Sequence, residues 1–190
     1  MVKLNKIYTR TGDGGLTRLA TGEEVAKWSL RVQAYGAVDE VNAVLGVAAL
    51  LAEQDLAAAI ARIQNDLFDL GADLATPDRG DALEWEPLRM VAQQTERLEA
   101  EIDAMNARIP PLESFVLPGG TPLAAQLHVA RTVARRAERC VAQLASEPGE
   151  TVSEPALTYI NRLSDWLFVA SRAANGDGRE DVLWVPGANR

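Results

Sequence analysis

Four arginines crowd into nine positions of the stretch HVARTVARRAERC, His128 to Cys140, in a chain with only 19 lysines and arginines. On a helix each residue advances about 100°. With Leu123 set at zero, Glu138, Arg131, Arg135, His128 and Arg139 fall at roughly 60° to 160°, a polar edge beside an apolar stripe centred on zero. Arg136 points to the far side, at about 220°. Guanidinium groups gathered at the edge of a core suit a polyphosphate, which they hold by charge-assisted, often bidentate hydrogen bonds. The same residues also read as a solvated face, in which Arg135 and Glu138 form an i,i+3 pair contributing about 0.2–0.5 kcal/mol.

A second cluster opens the chain. IYTRTGDGGLTRL, Ile7 to Leu19, holds Gly12, Gly14 and Gly15, whose backbone can turn amides toward an anion, with hydroxyl donors at Thr9, Thr11 and Thr17. A flexible N-terminal hairpin is the plainer reading, and no GxxxxGK[ST] phosphate loop occurs. Elsewhere, YINRLSDWLF places Asn161 and Asp165 one turn apart, as a ligand pair or as a network tied to the arginines. AYGAVDEVNAVLG sets Asp39 and Asn42 among small apolar residues, a pattern that reads as structural, including an interface pair with an arginine. His128, the chain's one histidine, has no Ser or Cys partner at a recognisable spacing and reads as a packed side chain. Phe115, Val116 and Leu117 precede the turn into the arginine segment, as a staple or as the wall of a large ligand site.

The elements that must position these groups are helices. Apolar residues recur at steps of three and four, and Val and Ile seldom alternate with polar residues. The first helix is expected over about 30–53. The second is expected from a cap at Asp55 through Leu56, Ile60, Ile63, Leu67, Leu70 and Leu74 to TPDRGD. The third is expected from near Pro87, with Val91, Leu98, Ile102 and Met105 on one side, to RIPP, where paired prolines end it. In the fourth, Thr121 caps and Pro122 fills the first turn, ahead of a stripe of Leu127, Ala130, Ala134, Ala137, Val141 and Leu144. The fifth follows Ser153 and stops at NGDG, where glycine supplies a left-handed cap. The fold class is all-α, a five-helix bundle with an irregular glycine-rich N-terminal arm; the whole chain, 1–190, is expected to be one domain, and the small residues of the fourth helix place it at the bundle centre.

Composition narrows the function classes. A net charge of -8 argues against a broad nucleic-acid surface, so an anion must meet a local basic pocket. One cysteine, Cys140, closes no internal disulfide and is a poor basis for a zinc site. No long apolar run suggests a membrane span, MVKLNKIYTRTG lacks the apolar stretch of a secretory signal, and the expected location is the cytoplasm.

Taken together, IYTRTGDGGLTRL, AYGAVDEVNAVLG, IQNDLFDLGADLATP, FVLPGGTPLAAQLHVARTVARRAERCV and INRLSDWLFVASRAAN closely resemble the PduO-type ATP:cob(I)alamin adenosyltransferases, in order and over nearly the whole chain. The resemblance implies a homotrimer of five-helix bundles with ATP at each subunit interface. In that pattern Thr9, Arg10, Thr11, Gly12, Thr17, Arg18 and Lys27 match the residues that wrap the triphosphate. Arg135, Arg136, Glu138, Arg139 and Asn161 match nucleotide-binding positions of the neighbouring subunit. Arg131 matches an arginine that pairs across the interface with the aspartate at Asp39. Phe115 matches an aromatic that covers the lower face of the corrin and keeps the cobalt without its lower ligand, which makes Co(II) easier to reduce. The implied reaction moves the 5′-deoxyadenosyl group of ATP to the cobalt of cob(I)alamin or a related corrinoid and releases triphosphate, with Mg²⁺ on the nucleotide and a reductase supplying electrons. A non-catalytic nucleotide-sensing or corrinoid-carrying bundle is the alternative. Arg136, turned away from the other arginines, either reaches the nucleotide from the far side or braces another subunit, and Leu183 or Trp184 lies where some members place a second aromatic over the corrin.

Overall fold

The computed structural model describes residues 7–8, 10–80 and 82–190. Five helices carry the fold: α1 (Leu30–Ala49), α2 (Gln54–Leu74), α3 (Ala92–Asn106), α4 (Pro122–Ser146) and α5 (Glu154–Ala174). Ahead of them, β1 (Leu16–Arg18) and β2 (Glu24–Ala26) pair antiparallel, so the arm expected to be irregular contains a small hairpin.

Helix α4 packs against both α1 and α5, α1 carries α2, and α5 carries α3. The central position follows from its stripe. Leu127, Ala130, Ala134, Ala137, Val141 and Leu144 are all fully buried, and the three alanines let the flanking helices approach closely. One core joins them to Val38, Val41 and Leu45 of α1, Ile60, Ile63 and Leu67 of α2, Leu98 of α3, and Ile160, Leu163 and Leu167 of α5. The cap expected at Thr121 forms, its Oγ1 accepting from the Ala124 amide at 3.2 Å, and Ser153, the residue expected to precede α5, caps it as well, its Oγ accepting from the Ala156 amide at 3.3 Å. Gly176 ends α5 with a φ of 61°.

Three boundaries differ from the sequence reading. Helix α1 stops at Ala49, and 50–52 continue as tight turns whose amides reach back only three residues. The residue before α2 is Glu53, in extended conformation, which places Asp55 in the first turn, where its charge favours the helix N-terminus. Helix α3 begins at Ala92, five residues after Pro87. Asp73 explains the delay: its carboxylate accepts from the Met90 amide at 2.9 Å and from Arg89 at 2.7 Å, which holds the preceding segment extended. Gln94 Oε1 then accepts from the Val91 amide at 3.0 Å, and Val91 lies half-exposed, off the buried face.

Candidate functional site

The hairpin is built around close backbone approaches. Lys27 donates its amide to the Gly15 carbonyl at 2.9 Å, and Gly15 donates to Gly12 at 3.2 Å, which curls the segment 12–15 against the end of β2. A Cβ on Gly12 would stand 3.1 Å from Lys27 Nζ, so the missing side chain lets the ammonium lie against the turn. Gly15, at a φ of 85°, sits beneath the Trp28 ring. Thr11, Gly12, Leu16, Thr17, Arg18 and Glu24 line an open cleft of about 390 Å³. Arg18 pairs with Glu24 at 3.1 Å, and the guanidinium of Arg10 stands 5.5 Å from the Tyr8 ring. Thr9 lies outside the described residues. The cleft thus brings together two threonines, a glycine backbone and Arg18, with Glu24 beside that guanidinium.

On α4 the polar edge forms as the 100° spacing predicts. Glu138 accepts from Asn161 Nδ2 of α5 at 2.6 Å and stands 4.0 Å from Arg135, while Arg139 donates to the Arg135 carbonyl at 2.9 Å. The Arg135 and Arg139 side chains stay exposed. Arg136 leaves this face and forms an ion pair with Glu40 of α1. Arg131 is half-buried, and its Nε has no hydrogen-bond acceptor among the described residues. Burial first, and Arg135 second, pull that guanidinium below its ordinary pKa. Asp39, exposed on α1, borders a groove of about 450 Å³ with Tyr35, Asn42, Leu67 and Phe68. No ion pair among the described residues joins Asp39 to Arg131.

A third group sits ahead of α4. The Leu117 amide donates to the Val182 carbonyl at 2.7 Å, the Trp184 amide to the Phe115 carbonyl at 2.7 Å, and Ser114 Oγ to the Trp184 carbonyl at 2.7 Å. This strap carries the C-terminal segment across Phe115, which is 77% exposed with its ring 6.0 Å from that of Trp184 at 58°. Of the two residues left open by the sequence, Trp184 is the one against Phe115. The strap is anchored by buried polar groups. Arg172 Nε donates to Asp181 at 2.7 Å, and Asn175 accepts from the Thr121 amide at 2.9 Å while donating to Asp181 at 3.2 Å and to the Gly119 carbonyl at 3.3 Å. Gly120, at a φ of 96°, admits this carboxamide, since a Cβ there would stand 2.1 Å from Asn175 Oδ1. His128 is packed, as its lack of partners suggested: its ring meets Phe168 edge-on at 6.4 Å, with both nitrogens buried and without an acceptor or donor among the described residues. Burial and the charge of Arg131 lower its pKa, favouring the neutral form.

Sequence reasoning missed Asn175, Phe168 and Trp28. The only signal for Asn175 was its place before Gly176, which reads as a helix end; its tertiary role has no local signature. Trp28 was masked by the charged residues before it.

A profile of the cobalamin adenosyltransferase family matches residues 7–174. The chain belongs to this family. The adenosyltransferase match begins at the glycine-rich arm and ends with α5, so the strap carrying Trp184 lies beyond it. Among relatives of this family, the chain is 51% identical to a corrinoid adenosyltransferase from Mycobacterium tuberculosis, over 100% of this chain and 97% of the relative. It is 44% identical to one from Bacillus subtilis, over 90% and 86%. Among solved adenosyltransferase structures, a variant PduO-type ATP:corrinoid adenosyltransferase from Lactobacillus reuteri, complexed with cobalamin and ATP, superposes with a TM-score of 0.84 at 42% identity, over 94% of this chain and 99% of that one. A second variant of that enzyme, complexed with ATP, gives a TM-score of 0.85 at 42% identity, over 94% and 100%.

Proposed function

We propose that this chain transfers the 5′-deoxyadenosyl group of ATP to the cobalt of cob(I)alamin or a related corrinoid, at a site shared between two copies of the chain in a homotrimer. The observation that carries the two-copy site is Arg131. Among the described residues its Nε is buried without an acceptor, while Asp39, the carboxylate its motif pairs with, stands exposed on α1 and unpaired with it. A buried guanidinium nitrogen without an acceptor is costly, and an incoming carboxylate removes the cost. The apolar groove beside Asp39, with Phe68 70% exposed, is a surface suited to a second copy.

In the reaction the electron pair of Co(I) forms the Co–C5′ bond, the C5′–O bond breaks, and its pair leaves with triphosphate. Co(I) is itself the nucleophile, so the protein supplies position and charge. The described arm residues Arg10, Thr11, Gly12, Thr17, Arg18 and Lys27, with Thr9, cradle the triphosphate from one copy. Arg135, Glu138, Arg139 and Asn161 close on the nucleotide from the next, with Arg135 and Arg131 offsetting the charge that builds on the leaving group. Arg136, held by Glu40, braces α4 against α1 and reaches a nucleotide only by leaving that pair. Among the described residues no three carboxylate, histidine or cysteine groups gather to hold a metal. Magnesium is accordingly read as arriving on the phosphates, the way this ion is usually bound at nucleotide sites. Phe115 and Trp184 form the apolar wall beneath the corrin, which excludes a lower ligand and eases reduction of Co(II) by a reductase. Among the described residues no helix is long and apolar enough to cross a membrane, and the lone cysteine suits a reducing cytoplasmic setting.

The test is spectral. Anaerobic protein given ATP, magnesium and reduced cobalamin is expected to yield light-sensitive adenosylcobalamin and free triphosphate; binding of both ligands without that product points to a corrinoid carrier or nucleotide sensor.

A further inference from the structure

The hairpin that carries the arm residues is fastened to the bundle at its tip, and the fastening is ionic. Beside the ionic contacts the hairpin has one apolar and one backbone tether nearby. Leu19 is buried, and the Ala20 amide donates to the Ala75 carbonyl at 3.0 Å just past the end of α2. Beside them stands Arg79, on the turn that follows α2. That turn is itself held: the Gly80 amide donates to Asp78 Oδ1 at 2.9 Å, Gly80 takes a φ of 82°, and Thr151 Oγ1 donates to the Asp78 carbonyl at 3.0 Å.

Arg79 reaches two ways from this seat. Toward the hairpin, Nε and Nη2 donate to the two carboxylate oxygens of Glu23 at 3.3 and 3.2 Å. Toward the bundle, Nη1 donates to the Gly149 carbonyl at 2.8 Å and to Glu150 at 3.2 Å, and Nη2 donates to the other Glu150 oxygen at 3.3 Å. Glu150 is fixed in turn by Arg31, whose guanidinium is almost wholly buried and donates to it at 2.5 and 3.0 Å, to the Leu74 carbonyl at 2.6 Å and to the Thr151 carbonyl at 3.0 Å. The four residues form a graded series. Arg31 is rigid and enclosed, Glu150 is mostly covered, and Arg79 and Glu23 are partly open to solvent.

Glu23 adjoins Glu24, the partner of Arg18 across the two strands, and Arg18 also donates to the Gly22 carbonyl at 3.1 Å. The position of Glu23 therefore reaches Arg18 on β1 through its neighbours Gly22 and Glu24. From this arrangement we infer that Arg79 is a positioning residue for nucleotide capture, acting as a latch that pins Glu23 of the hairpin to the Arg31–Glu150 pair and so presets the arm cleft before ATP arrives. The inference rests on the reading of that cleft as the triphosphate cradle. Preorganisation of this kind spares the ordering cost of binding and leaves the chemical step alone, so its signature is a change in KM for ATP without a matching change in kcat.

The experiment uses the full-length chain with Arg79→Met, Glu23→Gln and the double variant, and Arg62→Ala as a control for loss of an exposed ion pair elsewhere, on the α2–α3 side. Hydrogen exchange of peptides spanning 16–26 is measured without nucleotide, and steady-state kinetics are measured against ATP and against corrinoid. Each single variant is expected to speed exchange of the hairpin amides about three- to ten-fold and to raise KM for ATP by a similar factor, as loss of a partly exposed ionic network implies. In both, kcat and the corrinoid KM stay within about two-fold of the wild type, with the control unchanged. The double variant is no worse than the worse single one, because both remove the same contact, and Arg79→Lys recovers part of the loss. Unaltered exchange in both single variants overturns the latch. Faster exchange with an unchanged KM for ATP, or additive losses in the double variant, overturns its role in nucleotide capture. Absence of ATP turnover in the wild type overturns the function proposed above instead, and the exchange measurement still decides whether the latch holds the hairpin.

Discussion

Two polar clusters in this bundle contain similar residues and are built to opposite ends. On the α2, α3 and α5 side, Asp66 is buried and accepts from Tyr159 Oη at 3.0 Å, from Gln94 Nε2 at 3.0 Å and from Arg97. Its lone pairs are spoken for, and burial followed by the Asp66 charge pushes the Tyr159 hydroxyl pKa far up. On the outer face of α4 and α5, Arg135, Glu138, Arg139 and Asn161 share only two close hydrogen bonds, and beside them the Arg131 Nε has no acceptor among the described residues. A closed network rigidifies a core, whereas donors left open hold interaction free energy in reserve for whatever arrives. Charge content does not separate the two; satisfaction of the donors does.

The contrast breaks most visibly at Arg135. Arg135→Ala is expected to lower kcat/KM for ATP by about 10²–10³-fold, the size of losing one well-placed charge-stabilising donor. Its melting temperature should stay that of the wild type, and a variant that melts early while turning over normally inverts the comparison. Asp66→Ala tests the other half. It leaves the Tyr159 hydroxyl and part of Arg97 without a partner, so denaturant unfolding is expected to show a loss of about 2–3 kcal/mol, with the kcat of the folded fraction retained.

The smallest effect sharpens the boundary between the two clusters, at His128. Its folded pKa lies below the ordinary 6.5, through burial and then Arg131. The unfolded chain therefore takes up this proton first. Stability is full above pH 6.5 and declines as pH falls from there toward the lowered folded value. Because the chain has one histidine, titration curves of stability between pH 5 and 7 report this group, and His128→Gln is expected to flatten the slope there. An unchanged slope returns the acid sensitivity to the carboxylates.

What could be read from the sequence was what is local. The cap at Thr121, the start of α5 after Ser153, the glycine stop after α5 and the arginine edge of α4 depend on spacings of three or four residues, and each forms as expected. Arg136 pointing away from Arg135 is the same arithmetic. What stayed hidden depends on distant partners. Asp73 delays α3 by binding the segment before it, and Tyr159 finds Asp66 at a separation of 93 residues. The strap against Phe115 is joined across some 70 positions. No pattern within one turn of helix encodes such contacts, so the closed cluster was invisible while the open one stood out. The arm lies between these cases: its glycines and threonines raised the expectation of an anion site beside that of a plain hairpin, but the pairing of β1 with β2 and the seat of Lys27 over Gly12 come from the folded turn.

The strap has a practical corollary for anyone preparing this protein. Residues 182–184 run hand in hand with 115–117. Anyone who replaces residues 182–184 therefore also changes what stands beside the exposed Phe115 ring, so a variant made to alter the C-terminal segment reports on that ring as well.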